Sequence, residues 1–370
     1  MNTTSGAAST PAALPAVLWP LLFGNFVIGT GVMVVPGTLN EISTSLQISV
    51  ATAGQLISAA ALLMCLGAPS LAAVVAGWDW RRLLTLSMVW YGLLHIASMA
   101  APSFSALLPV RVITMIAPAI FTPQAAACIG LPLGALVGGI WGWRTAFGLI
   151  GILSLASAIW VWRSMPGGVK PAALSAAAWR ETFRSRALMF CVLVTMLNSA
   201  GQFVLFSYFA PYYKQKISIT PGELSLLLMW FGVFGFVGNM LMSRHIDRLG
   251  ASRAVMIGIG AMALSLLIWP LGVTLSLAAV VSVPWALGCF SSNSAQQARL
   301  VAIAPALAAA SIALNTSAMY AGQAIGAATG GWLVAQGGMN VLHWAGFAGL
   351  VLAMAASALA TRYQGTHRGG

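Results

Sequence analysis

Charged side chains are the scarcest feature of this 370-residue chain. Asp, Glu, Lys and Arg together make up 6% of it, and only five residues are acidic, whereas 59% are hydrophobic and the mean hydropathy is +0.91. A water-soluble domain could not cover that much apolar surface. The composition therefore excludes a soluble fold and predicts an all-α protein that crosses a membrane several times.

The few acidic residues also lie outside the apolar runs. All five fall in predicted loops or at the edges of these runs: Glu41, Asp79, Glu181, Glu223 and Asp247. The four cysteines lie one to an apolar run with no closely spaced pair, which argues against a metal site and against a disulfide framework. Because no nucleophile stands beside a base and no metal ligands cluster, we expect no enzyme, no metal and no cofactor.

Basic residues are in excess, with a net charge of +12, and they are unevenly distributed. Most of the 17 fall in one alternating set of loops, as the positive-inside rule requires of cytoplasmic loops. The charge therefore indicates membrane orientation rather than a nucleic-acid partner. We expect a multi-pass protein of the bacterial inner (plasma) membrane with both termini in the cytoplasm, and no cleaved signal peptide, since no charged segment precedes the first apolar run.

Apolar runs long enough to cross a bilayer divide the chain into two similar halves. The first half is predicted at residues 16–163 and the second at 187–361, joined by a linker at 164–186 and flanked by a disordered tail at 1–15 and a short tail at 362–370. The predicted spans are residues 16–37, 50–77, 83–101, the run from 106, 129–143 and 145–162, followed by 187–213, 224–242, 254–271, 276–298, 307–335 and 341–360.

The first half is short for six full spans. Residues 106–143, which have to hold its fourth and fifth spans, number 38, while the equivalent residues 276–335 number 60. Two crossings need about 20 residues each and a turn. We expect that the connecting loop and much of the fifth span are missing, and that residues 129–143 cross as a short, Gly-rich helix, because a crossing there keeps the basic loops on one side.

A polar stretch at residues 243–253 interrupts the apolar second half. It reads Ser-Arg-His-Ile-Asp-Arg-Leu-Gly-Ala-Ser-Arg. We interpret it as a hinge between two helices, in which Gly250 takes a positive φ and Asp247 meets nearby cations or a helix N-terminus. An ordinary basic loop that only sets orientation is the alternative. Residues 78–82 form a degraded counterpart in the first half.

The Asp-Arg-x-Gly spacing with flanking basic residues resembles the signature loop of the major facilitator superfamily, which recurs in each half. The resemblance implies two six-helix bundles around a central site, with these loops holding one of the alternating-access states. The implied latch residues are Asp79, Arg81, Arg82, Asp247, Arg248, Gly250 and Arg253. Residues 198–212 and 315–331 also resemble the seventh and eleventh helices of bacterial arabinose-type efflux permeases.

Residues 29–36 of the first span resemble a proton-coupled drug and sugar efflux branch of the same superfamily, the 12-helix drug:proton antiporters. Val32 stands where that branch often has an acidic residue. This departure leaves His95, in the third span, as the candidate group for proton coupling. A histidine that only packs and hydrogen-bonds between helices is the alternative.

Uncharged polar residues are concentrated in the first, seventh, tenth and eleventh spans, and one arginine lies inside the fourth. Polar groups in hydrocarbon must face protein or water, so we expect a central cavity. Its expected solute-binding residues are Asn25, Gln55, Arg111, Asn198, Gln202, Tyr208, Asn293, Asn315 and Gln323. For each polar residue a hydrogen bond between helices is the alternative, and for Arg111 it is snorkelling to the interface.

The sequence thus predicts a monomeric secondary transporter. We expect it to export a small amphipathic solute, such as a drug, sugar or metabolite, by alternating access, with protons as the candidate coupling ion. A transport-dead or regulatory membrane protein is the alternative, because the shortened fifth span lies in a half that has to move.

Overall fold

The computed structural model describes residues 18–75, 77–118, 136–168 and 175–366. All regular secondary structure within these ranges is helical, so the expected all-α architecture is confirmed. The tail predicted at residues 1–15 lies outside the described residues. So does most of the predicted fifth span, of which residues 136–143 are described.

The helices of the first half begin and end close to the predicted runs. They are α1 Leu18–Ser45, α2 Val50–Val74, α3 Trp80–Met99, α4 Phe104–Thr114, α5 at residues 136–141 and α6 Trp143–Ser164. The linker holds one short helix, α7 Ala176–Arg184, as its sequence predicts. Side chains cap the exposed helix starts: Asp79, Ser103 and Ser175 each accept a hydrogen bond from the backbone N–H three residues later.

The second half is longer and more regular. Its helices are α8 Arg186–Phe206, α9 Phe209–Ile217, α10 Pro221–Leu249, α11 Ala251–Ile268, α12 Leu275–Ile303, α13 Ala308–Ala335 and α14 Leu342–Thr366. Short 3₁₀ turns follow α11, α12 and α13 at Trp269–Leu271, Pro305–Leu307 and Met339–Val341. The seventh predicted span is divided into α8 and α9 at Ser207 and Tyr208.

The hinge predicted at residues 243–253 is much shorter in the structure. Helix α10 continues through the polar residues to Leu249 and α11 starts at Ala251, so only Gly250 lies outside a helix. Polar side chains on an exposed last turn do not interrupt the internal backbone hydrogen bonds of a helix. The positive φ expected of Gly250 is confirmed, at +77°.

Other helices also extend beyond the apolar runs. Helix α1 continues past the predicted end at residue 37 to Ser45, with Thr38 outside the helical region (φ −116°, ψ 17°). Helix α12 includes Arg299, which was expected in a loop. Its side chain is buried, and it donates hydrogen bonds to Ser357 Oγ (3.0 Å) and Thr361 Oγ1 (2.9 Å). Part of the predicted C-terminal tail is helical, because α14 ends at Thr366.

Eight segments among the described residues are long and apolar enough to cross a membrane. They are α1, α2, α6, α8 together with α9, α10, α11, α12 and α14. Helices α3 and α13 have the length of a span but are more polar. The first contains Arg81, Arg82 and His95, and the second contains Asn315 and Gln323. The chain is therefore a multi-pass membrane protein, with α3 and α13 packed against its other helices.

Small residues bring the backbones of α13 and α8 into contact. A Cβ atom added at Gly322, Gly326 or Gly330 of α13 would meet a backbone carbonyl oxygen of α8. Helices in hydrocarbon associate through such close packing, since the hydrophobic effect between them is absent. The glycine stripe of α13 therefore determines how closely the second half packs.

The two halves meet at one end of the bundle. We call the end with α7 and the α2–α3 and α10–α11 turns the basic end, and the other the opposite end. The halves touch where α2 packs on α13 and α1 on α9. Tyr208, at the α8–α9 break, packs on Gly54 and Gly331, and its hydroxyl donates to the Ala327 carbonyl (3.1 Å). These contacts lie near the start of α2 and the end of α13, so they close the opposite end.

The glycine packing predicts a difference between two identical substitutions. Gly326→Ala should destabilise the protein by roughly 1–3 kcal/mol, because the methyl group meets the Ala200 carbonyl. Gly260→Ala on α11 is the control, since the nearest atom, Met354 Cε, is 3.9 Å from the added Cβ. It should be neutral or stabilising by up to about 1 kcal/mol through helix propensity. Thermal unfolding in detergent measures both, and equal shifts would contradict the packing argument.

Candidate solute-binding site

A central cavity of about 120 Å³ lies between α1 of the first half and α8, α10, α12 and α13 of the second. Its lining residues Gly29, Asn198, Asn293 and Gln323 each lie ten to twelve residues from an end of their helices, or roughly 15–18 Å along the axis. The cavity is therefore near the middle of the membrane, where helices from both halves contribute to it.

Amide side chains line one part of the cavity. Asn198 and Gln202 of α8, Asn293 of α12 and Gln323 of α13 all face it, as predicted. Gln202 is held by Trp285, whose indole Nε1–H donates to Gln202 Oε1 (3.3 Å). Asn198 Oδ1 is buried without a hydrogen-bond partner in the described residues. These groups offer donors and acceptors to a polar solute.

Aromatic side chains line the rest, and the sequence did not single them out. The lining contains Phe203, Phe206, Phe231, Phe290 and Tyr320. Phe206 packs on Phe231 and on the buried Trp285, with ring centroids 5.9 and 6.0 Å apart. Amides and aromatic faces together suit a solute with both polar and apolar surface. No sequence signal separates these rings from the lipid-facing ones, because both kinds lie in apolar runs.

Four of the residues expected in the central cavity lie elsewhere. Gln55 is exposed and faces a separate cleft of about 360 Å³ between α2 and α13. Tyr208 lines the same cleft and contacts Gly54, as described above. Asn315 is fully buried behind the cavity, where its Oδ1 accepts from Thr195 Oγ1. Asn25 is half-buried on α1, outside the cavity lining. The alternative of packing or interhelical hydrogen bonding fits Tyr208 and Asn315.

Arg111 is the ninth expected residue, and it lies beside the cavity rather than in it. Its side chain is 2% exposed and it lines a small recess with Val32, Met33 and Gln323. The guanidinium donates from Nη2 to the Gly31 carbonyl (2.5 Å) and from Nη1 to His95 Nε2 (3.2 Å). Snorkelling to the interface is excluded, because the charged group is enclosed by α1, α3 and α6 residues.

The hydrogen bonds of His95 define its protonation state in this conformation. Its Nδ1 lies 2.9 Å from the Tyr91 carbonyl, so Nδ1 carries a proton, and its Nε2 accepts from Arg111. A second ring proton would point at the guanidinium. His95 is therefore neutral here, enclosed by the Tyr91 and Phe147 rings at centroid distances of 4.2 and 5.5 Å. Its geometry fits the packing alternative better than proton coupling.

The expected latch residues of the first half contact each other within that half. Asp79 accepts from the backbone N–H groups of Arg82 (3.1 Å) and Gly168, so it ties the start of α3 to the segment after α6. These two N–H groups hold the pKa of the Asp79 carboxyl below its usual range, and the N–H of Gly168 has the larger effect. Arg81 lies over the Trp162 ring, 4.6 Å from its centroid.

The latch residues of the second half are more exposed. Asp247 and Arg248 lie on the outer surface of the last turn of α10, and Arg253 is exposed on the first turn of α11. Of the two partners expected for Asp247, nearby cations or a helix N-terminus, the second is not found at α11, because Gly250 occupies the cap position and no side chain caps it. The helix-capping role predicted for this carboxylate falls to Asp79 of the other half.

Comparison with known proteins agrees with this architecture. Residues 191–368 match the sequence profile of the Major Facilitator Superfamily. The uncharacterized MFS-type transporter YbcL of Bacillus subtilis (strain 168) is 26% identical over 370 aligned residues, which cover 92% of this chain and 95% of the relative. A probable sugar efflux transporter of Helicobacter pylori is 28% identical over 361, covering 89% and 91%. A mutant of the nucleoside transporter NupG has the same fold, with a TM-score of 0.74 at 13% identity over 93% of this chain and 99% of that chain.

The fold and its central cavity define a multi-pass membrane transporter. With these matches, the resemblance to the major facilitator superfamily that the sequence motifs indicated is confirmed. Members of this family bind small-molecule solutes within the membrane, and the amide and aromatic side chains described above line a cavity at that depth.

The Arg111–His95 hydrogen bond predicts unequal effects of two substitutions. His95→Leu removes the acceptor and leaves a buried guanidinium N–H without a partner, so it should destabilise the protein by about 1–3 kcal/mol. His95→Gln keeps an acceptor oxygen and should lose less. Thermal unfolding of the purified variants measures the difference. Equal stability of His95→Leu and the wild type would contradict the neutral, acceptor role of His95.

Proposed function

We propose that this protein is a secondary transporter that exports a small amphipathic solute from the cytoplasm. The observation that carries the proposal is the mid-membrane cavity, whose wall contains both amide side chains and aromatic rings. Both halves contribute to this wall, so a change in their relative tilt changes access to the solute. Efflux is supported by the relative named a probable sugar efflux transporter.

The orientation we propose puts the basic end in the cytoplasm. Arg81, Arg82, Arg163, Arg180, Arg184 and the basic residues of the α10–α11 turn lie at that end, as the positive-inside rule requires. In this orientation the contacts of Tyr208 close the extracellular side. In this conformation the solute enters from the cytoplasm, and its release requires the extracellular side to open.

The organisation into helix bundles at residues 16–163 and 187–361 is proposed on the same basis. Apart from α2, which packs chiefly on α13, and α9, which packs on α1, the helices of each half pack mainly with one another. A shortened fifth span is proposed with it, since residues 106–143 number 38 against 60 for the equivalent residues 276–335. Residues 136–141 are helical and pack at the opposite end, where Gly139 approaches Pro221 of α10.

Among the expected site residues, we propose that Asn198, Gln202, Asn293, Gln323 and Arg111 bind the solute. Asp79, Arg81 and Arg82 are proposed to hold the first half in shape at the cytoplasmic side, since their contacts run from α3 to α6 and the linker. Proton coupling through His95 has little support, because its hydrogen bonds occupy both ring nitrogens. Operation as a monomer in the bacterial inner membrane remains part of the proposal.

The proposal predicts different effects of two Gln→Ala substitutions. Gln323→Ala, inside the cavity, should lower efflux by about five- to hundredfold, the effect of one or two lost hydrogen bonds. Gln55→Ala, in the exposed cleft, should change it less than about twofold. The solute is found by screening cells with and without the gene for resistance to amphipathic drugs and sugar analogues. Its efflux is then measured directly in preloaded cells.

Two outcomes would contradict the proposal. Equal losses in Gln323→Ala and Gln55→Ala would show that this cavity is not the path of the solute. If cells that express the folded and inserted protein export none of the compounds tested, the transport-dead or regulatory alternative would be favoured instead. The comparisons do not favour that alternative, because full-length transporters align with nearly the whole chain.

A further inference from the structure

Arg111 is a buried cation for which this chain supplies no carboxylate. The sequence has five acidic residues, and Asp79, Glu181, Glu223 and Asp247 are exposed or lie at the ends of the bundle. The remaining one, Glu41, is nine residues beyond Val32 on α1, or about 13 Å along a helix, and the cation that acts on it is Lys214 of α9. The positive charge of Arg111 is therefore not neutralised within the protein.

The partners that Arg111 does have are neutral. They are the carbonyls of Gly31 and Val32 and the uncharged His95 ring, with the Phe147 ring 5.5 Å from the guanidinium carbon. Its Nε atom is buried without a hydrogen-bond partner in the described residues. Hydrogen bonds to neutral groups orient a guanidinium but leave its charge uncompensated, and an isolated charge inside a membrane protein is costly.

The recess beside Arg111 adjoins the central cavity. Both are lined by Val32, Met33, Phe203 and Gln323, while Arg111 itself lines only the recess. The recess holds about 20 Å³, which is enough for one small polar group and too little for a whole solute. A group that enters it remains attached to whatever occupies the larger cavity.

We propose that the exported solute is an organic anion whose acidic group, a carboxylate or a comparable monoanion, enters this recess and pairs with Arg111. The rest of the solute lies against the amides and aromatic rings of the central cavity. This inference rests on the proposed transport function and adds its substrate class. Arg111 selects the charge of the solute, and the second half selects its shape. A free inorganic anion offers the same chemistry, so the test separates the two sources.

The first arm of the test measures binding without transport. Purified wild-type protein in detergent is titrated with matched neutral and anionic compounds, which are benzamide against benzoate and glucose against gluconate. Sodium chloride keeps the ionic strength equal in all titrations. The shift in the thermal unfolding temperature with ligand concentration gives Kd. We expect at least one anion to bind about tenfold or more tightly than its neutral partner. Sodium chloride and sodium nitrate, both salts of inorganic monoanions, are titrated separately. Stabilisation by them equal to that by the organic anion assigns the recess to a free anion and overturns the substrate class.

The second arm locates the anion at Arg111. Arg111→Gln should bring both members of the preferred pair within about twofold, whereas Arg362→Gln, an exposed arginine at the end of α14, should keep the wild-type preference. Val32→Asp places a fixed carboxylate in the recess. It should raise the unfolding temperature of the ligand-free protein and abolish the anion preference, so the test does not depend on Arg111→Gln folding.

The outcomes separate this inference from the proposed function. If no pair shows an anion preference in the wild type, or if Val32→Asp and Arg111→Gln retain it, the organic-anion inference is wrong even when efflux of a neutral solute is observed. If anions bind at Arg111 but no efflux is found in cells, the transport proposal fails while the anion site stands.

Discussion

The packing of Tyr208 between Gly54 and Gly331 is the contact on which the arrangement of the two halves depends. It joins α2 of the first half to α8 and α13 of the second, and both glycines leave room for the ring where a Cβ would overlap it. Because the hydroxyl donates to the Ala327 carbonyl, the ring can be buried without an unsatisfied polar group. The cavity lies at mid-membrane depth, and α8 and α13 contribute both to it and to this closed end.

The need to satisfy polar groups in hydrocarbon explains the rest of the site. Asn315 Oδ1 accepts from Thr195 within the second half, and Arg299 donates to Ser357 and Thr361, so these contacts stabilise the bundle. Asn198, Asn315, Arg111 and Arg299 each retain one buried polar atom with no partner in the described residues. Of these four, Asn198 lines the cavity and Arg111 the adjoining recess, so a solute can supply the external partner that a polar group inside a membrane protein needs.

Much of the fold was predictable from the sequence because span length and hydropathy are dictated by the bilayer. The bounds of α2, α6 and α13 follow the apolar runs within a few residues, and the positive φ of Gly250 follows from its place between two helices. The helix ends were less accurate. Exposed polar residues at 243–249 continue α10, since a helix needs no apolar surface once it leaves the membrane.

The faces of the helices were not predictable. Gln55 and Gln323 both lie in apolar runs, yet the first is exposed and the second lines the cavity. In a membrane protein the lipid-facing and core-facing surfaces are both apolar, so periodicity does not distinguish them. The position of Tyr208 depends on the break between α8 and α9, for which Pro211 in the first turn of α9 is a signal that the span prediction did not use. The partners of Arg111 depend on the packing of α1, α3 and α4, and no spacing within the sequence encodes them.

The coupling between the two ends of the bundle is the central claim, and distances between spin labels test it most directly. On a cysteine-free background, double electron–electron resonance would measure one pair at the opposite end, Ser49 with Gln336, and one at the basic end, Trp78 with Arg248. Gly54→Leu displaces the Tyr208 ring and should lengthen the first distance while shortening the second. A longer first distance with an unchanged second one would show that the halves do not rock about the cavity, and it would contradict alternating access.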